Sequence, residues 1–119
     1  MTAAPAHWEA WVDGTALPNP GRIGIGLLLV APDGTQQALS RAPGRSGCNN
    51  EAELRAILLA LEHAEAAGAR RLTIHSDSRF AVDCLTGRDS TEVARLAELL
   101  AATRAAIGRF EEVTLVWLP

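Results

Sequence analysis

Lysine is missing from this chain: all eleven basic residues are arginine. The planar guanidinium suits phosphate, although codon bias explains the preference as simply. With fourteen acids the formal charge is −3, which excludes a global basic field as a sign of nucleic-acid binding and leaves only local patches. There are two cysteines, Cys48 and Cys84, and no CxxC pair. That is too little for a disulfide scaffold and sets the expectation of a reducing, cytoplasmic environment. No apolar run approaches the ~18 residues of a membrane span, and "MTAAPAHWEAW" has no basic segment leading into an apolar one. The expectation is a soluble protein without membrane partners. Nor is there a linker, a repeat or a low-complexity tract. At 119 residues and 48% apolar, residues 1–119 read as a single domain able to bury an ordinary core.

What is present alternates in period. "HWEAWVDG" predicts a short first strand stopping at Asp13, and Ile23 to Ala31 a second, buried one. "PDGT" at 32–35 is a hairpin signal, so Gln36 to Arg41 predicts a third strand, antiparallel to the second. From Asn50 the period becomes helical through Leu54, Ile57, Leu58, Leu61 and Ala64, with Gly68 closing the helix. Arg70 to Asp77 predicts a fourth strand, "SRFAVDCL" a short helix, Val93 to Ile107 another helix, and Val113 to Leu118 a last strand. A hairpin-linked trio followed by alternating helices and strands predicts an α/β fold: a mixed five-stranded sheet flanked by helices. In such sheets sites gather where strands stop.

Three acids occupy such places: Asp13 after strand one, Glu53 in the first turn of the long helix, and Asp77 after strand four. Each also has an ordinary structural role open to it. Asp13-Gly14 suits a turn, Glu53 suits a capping box with Asn50, and Asp77 suits the cap of the helix starting near Ser78. Considered together they point elsewhere, because neighbouring strands one and four would bring both aspartates to one sheet edge, where the helix could add Glu53. Crowded carboxylates repel unless a cation neutralises them. Hard oxygen ligands suit Mg²⁺ or Mn²⁺, and two such ions can activate water and stabilise a leaving oxygen in phosphodiester hydrolysis.

The same residues carry a family resemblance. "DGTALPNPGRIGIG" resembles the opening of the type 1 ribonuclease H family, "CNNEAELRAILLALEHA" its Asn-Asn-x-x-Glu helix start, and "IHSDSRFAVDCL" its Asp-Ser-x-x-x-Val segment. The three motifs occur in the family's order across nearly the whole chain. The resemblance implies a ribonuclease H-like fold and an endonuclease that cuts the RNA strand of an RNA/DNA hybrid with two Mg²⁺ or Mn²⁺ ions. It implies Asp13, Glu53 and Asp77 as catalytic and metal-binding carboxylates, with Asp13 bridging the ions. It further implies Gly14, Asn19, Asn49, Asn50 and Arg79 as substrate-binding positions, Arg79 standing where the family often has glutamine. A wide minor groove displaying 2′-hydroxyls is a surface that amides can bond.

Departures from the family pattern are equally visible. Members continue past the last strand with a histidine loop and a helix carrying a fourth carboxylate, whereas this sequence ends at "VWLP". Cys48 stands where threonine is common, and "TGRDSTEVARLAELL" lacks the basic handle of some members. A catalytically impaired nucleic-acid-binding or protein-interaction module is therefore the alternative, and a metal nuclease acting on DNA a third reading. A monomer is expected. Glu51 matches no catalytic position. The three histidines, His7, His63 and His75, have no ligand spacing and read as surface or sheet packing, as do Trp8, Trp11 and Trp117. Arg22, Arg41, Arg45 and Arg79 lie in or beside loops near the proposed site, where phosphate contact and solvated charge explain them equally well.

Overall fold

The computed structural model describes residues 6–119, so the first five residues of the expected domain lie outside the described region. Nine elements follow in order: β1 (Trp8–Leu17), β2 (Gly21–Val30), β3 (Gln36–Arg41), β4 (Ser46–Gly47), α1 (Asn49–Ala66), β5 (Arg71–Ser76), α2 (Arg79–Leu85), α3 (Ala94–Ile107) and β6 (Glu112–Trp117). The sheet runs β3-β2-β1-β5-β6, with β4 paired to β2 off that path. The β1–β2 and β2–β3 pairs are antiparallel, while β1–β5 and β5–β6 are parallel, as crossovers through helices require. The expected mixed sheet is therefore present, with one extra two-residue strand.

Alternation decides which face is buried. Ala10, Val12, Gly14 and Ala16 of β1 point inward beside Ile23, Ile25, Leu27 and Leu29 of β2 and Leu72, Ile74 and Ser76 of β5. Helix α1 lies on this face against β1 and β2, and α3 packs against α1. Its Leu54, Ile57 and Leu61 are 0–1% exposed. Each such side chain contributes about 1.5–3 kcal/mol through burial, which outweighs the weak intrinsic stability of an isolated helix. The other face of β1 carries Trp11, Asp13, Thr15 and Leu17, all exposed, and there Trp11 stacks on His75 of β5 at 4.6 Å. No helix among the described residues is long and apolar enough to cross a membrane, and both cysteines are free thiols.

One sequence expectation needs correction. β1 does not stop at Asp13 but continues to Leu17, because its antiparallel ladder with β2 persists as far as Leu17 opposite Arg22. What stops beside Asp13 is the other neighbour: the parallel ladder with β5 ends at Val12 opposite Ser76. Asp13 and Asp77 are thus the first residues past that ladder on two adjacent strands.

Candidate active site

The end of the β1–β5 ladder delivers two of the three acids, since side-by-side strands in parallel register place Asp13 and Asp77 next to each other. Both are exposed. The third comes from α1, whose first turn rests directly on β1 at Gly14. A Cβ on Gly14 would sit 2.3 Å from the Ala52 carbonyl group and 2.6 Å from the Glu53 nitrogen, so only glycine admits the helix this closely. That contact turns the Glu53 carboxylate to the strand, where Oε1 accepts the Gly14 N–H at 3.2 Å. One oxygen from each of Asp13, Glu53 and Asp77 then lies within 4.8 Å of the others.

None of the three acids performs the capping role open to it. The N-cap of α1 is Cys48, with no side-chain hydrogen bond. The N-cap of α2 is Ser78, whose hydroxyl accepts the Ala81 N–H at 3.1 Å. Asp13 lies within a strand rather than a turn.

Electrostatics marks the cluster as incomplete. Glu53 is 8% exposed, and its Oε2 is buried without a hydrogen-bond partner. Its pKa is raised to about 7, first by burial, then by the Asp77 charge; the Gly14 N–H opposes this, while the Asp13 charge adds to the rise. The residues present fit a divalent cation: three hard oxygen donors, one otherwise orphaned, lie within 4.8 Å of one another, a spread that two metal–oxygen bonds at the long end of the range, about 2.4–2.6 Å, can span.

The expected substrate positions surround this cluster unevenly. Asn19 Oδ1 accepts the Asn49 N–H at 3.0 Å, and Asn49 Oδ1 accepts the Ala16 N–H at 2.7 Å. These amides tie the β1–β2 turn to the start of α1, and Asn19 serves that helix from thirty residues away, a cap that local spacing could not reveal. Both asparagines are exposed and Asn50 is half-buried, whereas Gly14 is buried under α1. Arg79 is exposed beside Asp83, Nε to Oδ2 3.4 Å, and its guanidinium lies 5.3 Å from the Trp117 ring centroid. Trp117 Nε1 in turn donates to the Asp77 carbonyl at 3.2 Å, fixing the backbone that carries this acid. Sequence reasoning treated Trp117 as packing and missed this bond, for which it had no local signal.

Comparison with known proteins places the chain. A family model described as reverse transcriptase-like matches residues 11–119. Ribonuclease HI of Halobacterium salinarum is 29% identical over 111 residues, which cover 93% of this chain and 56% of that protein. The chain belongs to the ribonuclease HI-like family. The crystal structure of RNase H1 from the same archaeon superposes on this ribonuclease HI-like chain with a TM-score of 0.84 at 27% identity, covering 95% of this chain and 86% of that one. A bifunctional protein of Mycobacterium tuberculosis strain H37Rv is 28% identical over 113 residues, covering 90% of this chain and 30% of its own length. The chain thus spans between about a third and just over half of these two curated relatives.

Proposed function

We propose that this ribonuclease HI-like chain is a divalent-metal-dependent endonuclease hydrolysing the RNA strand of RNA/DNA hybrids by a two-ion mechanism. The observation that carries the reading is the convergence of Asp13, Glu53 and Asp77 around a buried carboxylate oxygen that has no partner. The names of its relatives support a ribonuclease, and a structural neighbour, LC11-RNase H1, was solved in complex with an RNA/DNA hybrid.

Asp13, Glu53 and Asp77 are the residues that would hold Mg²⁺ or Mn²⁺. Bound there, the ions would supply a nucleophilic water near neutral pH and stabilisation of the leaving oxygen. The chain's own contribution is placement. The Gly14 N–H occupies one oxygen of Glu53 and leaves the other for the site, and the Trp117 indole anchors Asp77 through its backbone. The Asn19 and Asn49 carbonyl oxygens are already engaged, which leaves their NH₂ groups to donate to substrate oxygens such as 2′-hydroxyls. Arg79, on the Trp117 side of the site, offers a guanidinium to a phosphate.

The test is cleavage of a labelled RNA/DNA hybrid with Mg²⁺ and with Mn²⁺, beside Asp13→Asn and beside duplex DNA of the same sequence. Metal-dependent cutting of the hybrid RNA, abolished in the variant, is expected. Hybrid binding with no cutting under either ion would refute the nuclease reading and leave a binding module.

A further inference from the structure

Ser76 breaks the pattern of its strand. The inward row of β5 runs Leu72, Ile74, Ser76, two aliphatic side chains and then a hydroxyl, all three 0–1% exposed. Burying a hydroxyl is unfavourable unless it bonds. This one accepts the Ser78 N–H at 3.1 Å, a turn of the serine type that spans Asp77. The Ser76 carbonyl accepts the Leu118 N–H at 2.9 Å, so the chain just past β6 also holds the residue before Asp77.

The carbonyl of Asp77 and the N–H of Ser78 belong to one peptide unit. The first accepts from Trp117 Nε1 at 3.2 Å, and the second donates to Ser76 Oγ. In a planar trans peptide these two groups point in opposite directions. Two side chains, one from β5 and one from β6, therefore pin a single unit at both ends. Pinning it fixes ψ of Asp77, and the rotamers open to a side chain depend on its φ and ψ.

The Asp77 carboxylate needs such a mount. It is exposed, forms no ion pair among the described residues, and brings one oxygen within 4.8 Å of oxygens of Asp13 and Glu53. Like charges at that range repel, and an exposed side chain free to turn would swing away. Arg79, two residues on, lies against Asp83 and Trp117. The restraint on Asp77 is thus its backbone, and Ser76 and Trp117 are the side chains that hold it.

We propose that Ser76 is a positioning residue for the acidic cluster: its hydroxyl, acting with the Trp117 indole, locks the Asp77–Ser78 peptide so that the Asp77 carboxylate stays turned to Asp13 and Glu53. Its consequence for catalysis rests on the metal-nuclease reading. Ser76 is buried and acts only through Asp77.

The experiment compares two matched pairs, each under conditions where circular dichroism shows the protein folded. Ser76→Ala against the native chain removes the acceptor with little change in volume. Ser76→Val against Ser76→Thr removes it at constant volume, the added methyl being common to both. Three-bond NMR couplings from Asp77 N and C′ to Cγ, measured without metal at one pH, report χ1. The native chain and Ser76→Thr should show a single rotamer, and Ser76→Ala and Ser76→Val averaged values. Removing a group that orients a metal ligand typically costs about 10–100-fold in metal affinity or activity. The Ala and Val variants should therefore bind Mg²⁺ at least about tenfold more weakly by calorimetry and cut hybrid with a similarly lowered kcat, the hybrid KM being unchanged. Trp117→Phe drops the donor and keeps a ring. Because both bonds hold one peptide, Ser76→Ala/Trp117→Phe should fall short of the product of the single effects. Should the added methyl prevent folding, the alanine comparison decides. Mg²⁺ affinity and kcat unchanged in folded Ser76→Ala, whatever its melting temperature, would overturn the inference and leave the nuclease reading intact. A native chain that neither binds Mg²⁺ nor cuts would refute that reading, and the couplings alone would then decide: averaging in Ser76→Ala that Ser76→Thr does not show upholds the positioning role, and unmoved couplings overturn it.

Discussion

Replacing Glu53 with glutamine should make the metal-free protein more stable at pH 8, although the residue is central to the proposed site. The Glu53 carboxyl has its pKa raised from 4.5 to about 7, mainly by burial and then by Asp77. Between those values the folded chain holds a proton that the unfolded chain has released, so stability falls as pH rises through that window. Below about 4.5 the stabilisation is fully present, and above about 7 it is gone. At about 1.4 kcal/mol per pH unit the loss amounts to about 3 kcal/mol, a large share of the 5–15 kcal/mol typical of a domain. Glutamine is neutral throughout, can accept the Gly14 N–H through its carbonyl oxygen, and offers its NH₂ group to the neighbouring aspartates. Urea unfolding in EDTA at pH 4.5 and pH 8 provides the assay. The wild type should lose about 3 kcal/mol relative to Glu53→Gln between the two conditions, a relative midpoint shift of about 1–3 M if the urea slope has its usual value. Excess Mg²⁺ at pH 8 should restore the wild type and leave the variant unmoved. Parallel pH dependence in the two proteins would refute the claim that Glu53 is a buried, uncompensated acid.

Further outcomes follow from the packing. Gly14→Ala should displace the first turn of α1, since its Cβ would meet the Ala52 carbonyl group at 2.3 Å; weaker Mg²⁺ binding by calorimetry and a lower melting temperature are both expected. Leu54→Ala, at a fully buried site, should cost about 2–5 kcal/mol in urea unfolding. Asn19→Ala removes the acceptor for the Asn49 N–H and should cost about 0.5–2 kcal/mol, with faster amide exchange at Asn49 as the local readout.

Much of this was legible in the sequence, and the exceptions share a cause. The third strand matches its expected bounds of Gln36 to Arg41, and α1 begins one residue before the expected Asn50, because local turn chemistry and an eighteen-residue helical period define both. The end of β1 was misplaced because Pro18, Asn19 and Pro20 obscure alternation, and only pairing with β2 carries the strand to Leu17. β4 is two residues long, too short for any period, and exists through its pairing with β2. The three acids were identified correctly as a converging group, but the capping alternatives could be settled only by seeing Cys48 and Ser78 in those positions. Glu51 was set aside as matching no catalytic position, and its burial could not be read because burial is a tertiary property. Its i,i+4 partner Arg55 was the only local hint, and Arg45 and Arg95 reach it from other segments.

The bond from Gly14 to Glu53 closes a loop of 39 residues, and Asp77 enters later still, on a strand that must dock beside β1. No short fragment of the chain can hold the three carboxylates together. Forming the cluster depends on some of the most distant pairings in the topology, the kind that form slowly. If the cluster holds the proposed ion, divalent-ion binding would therefore gauge completed folding: a titration would count the molecules in which β1, β5 and α1 have all met.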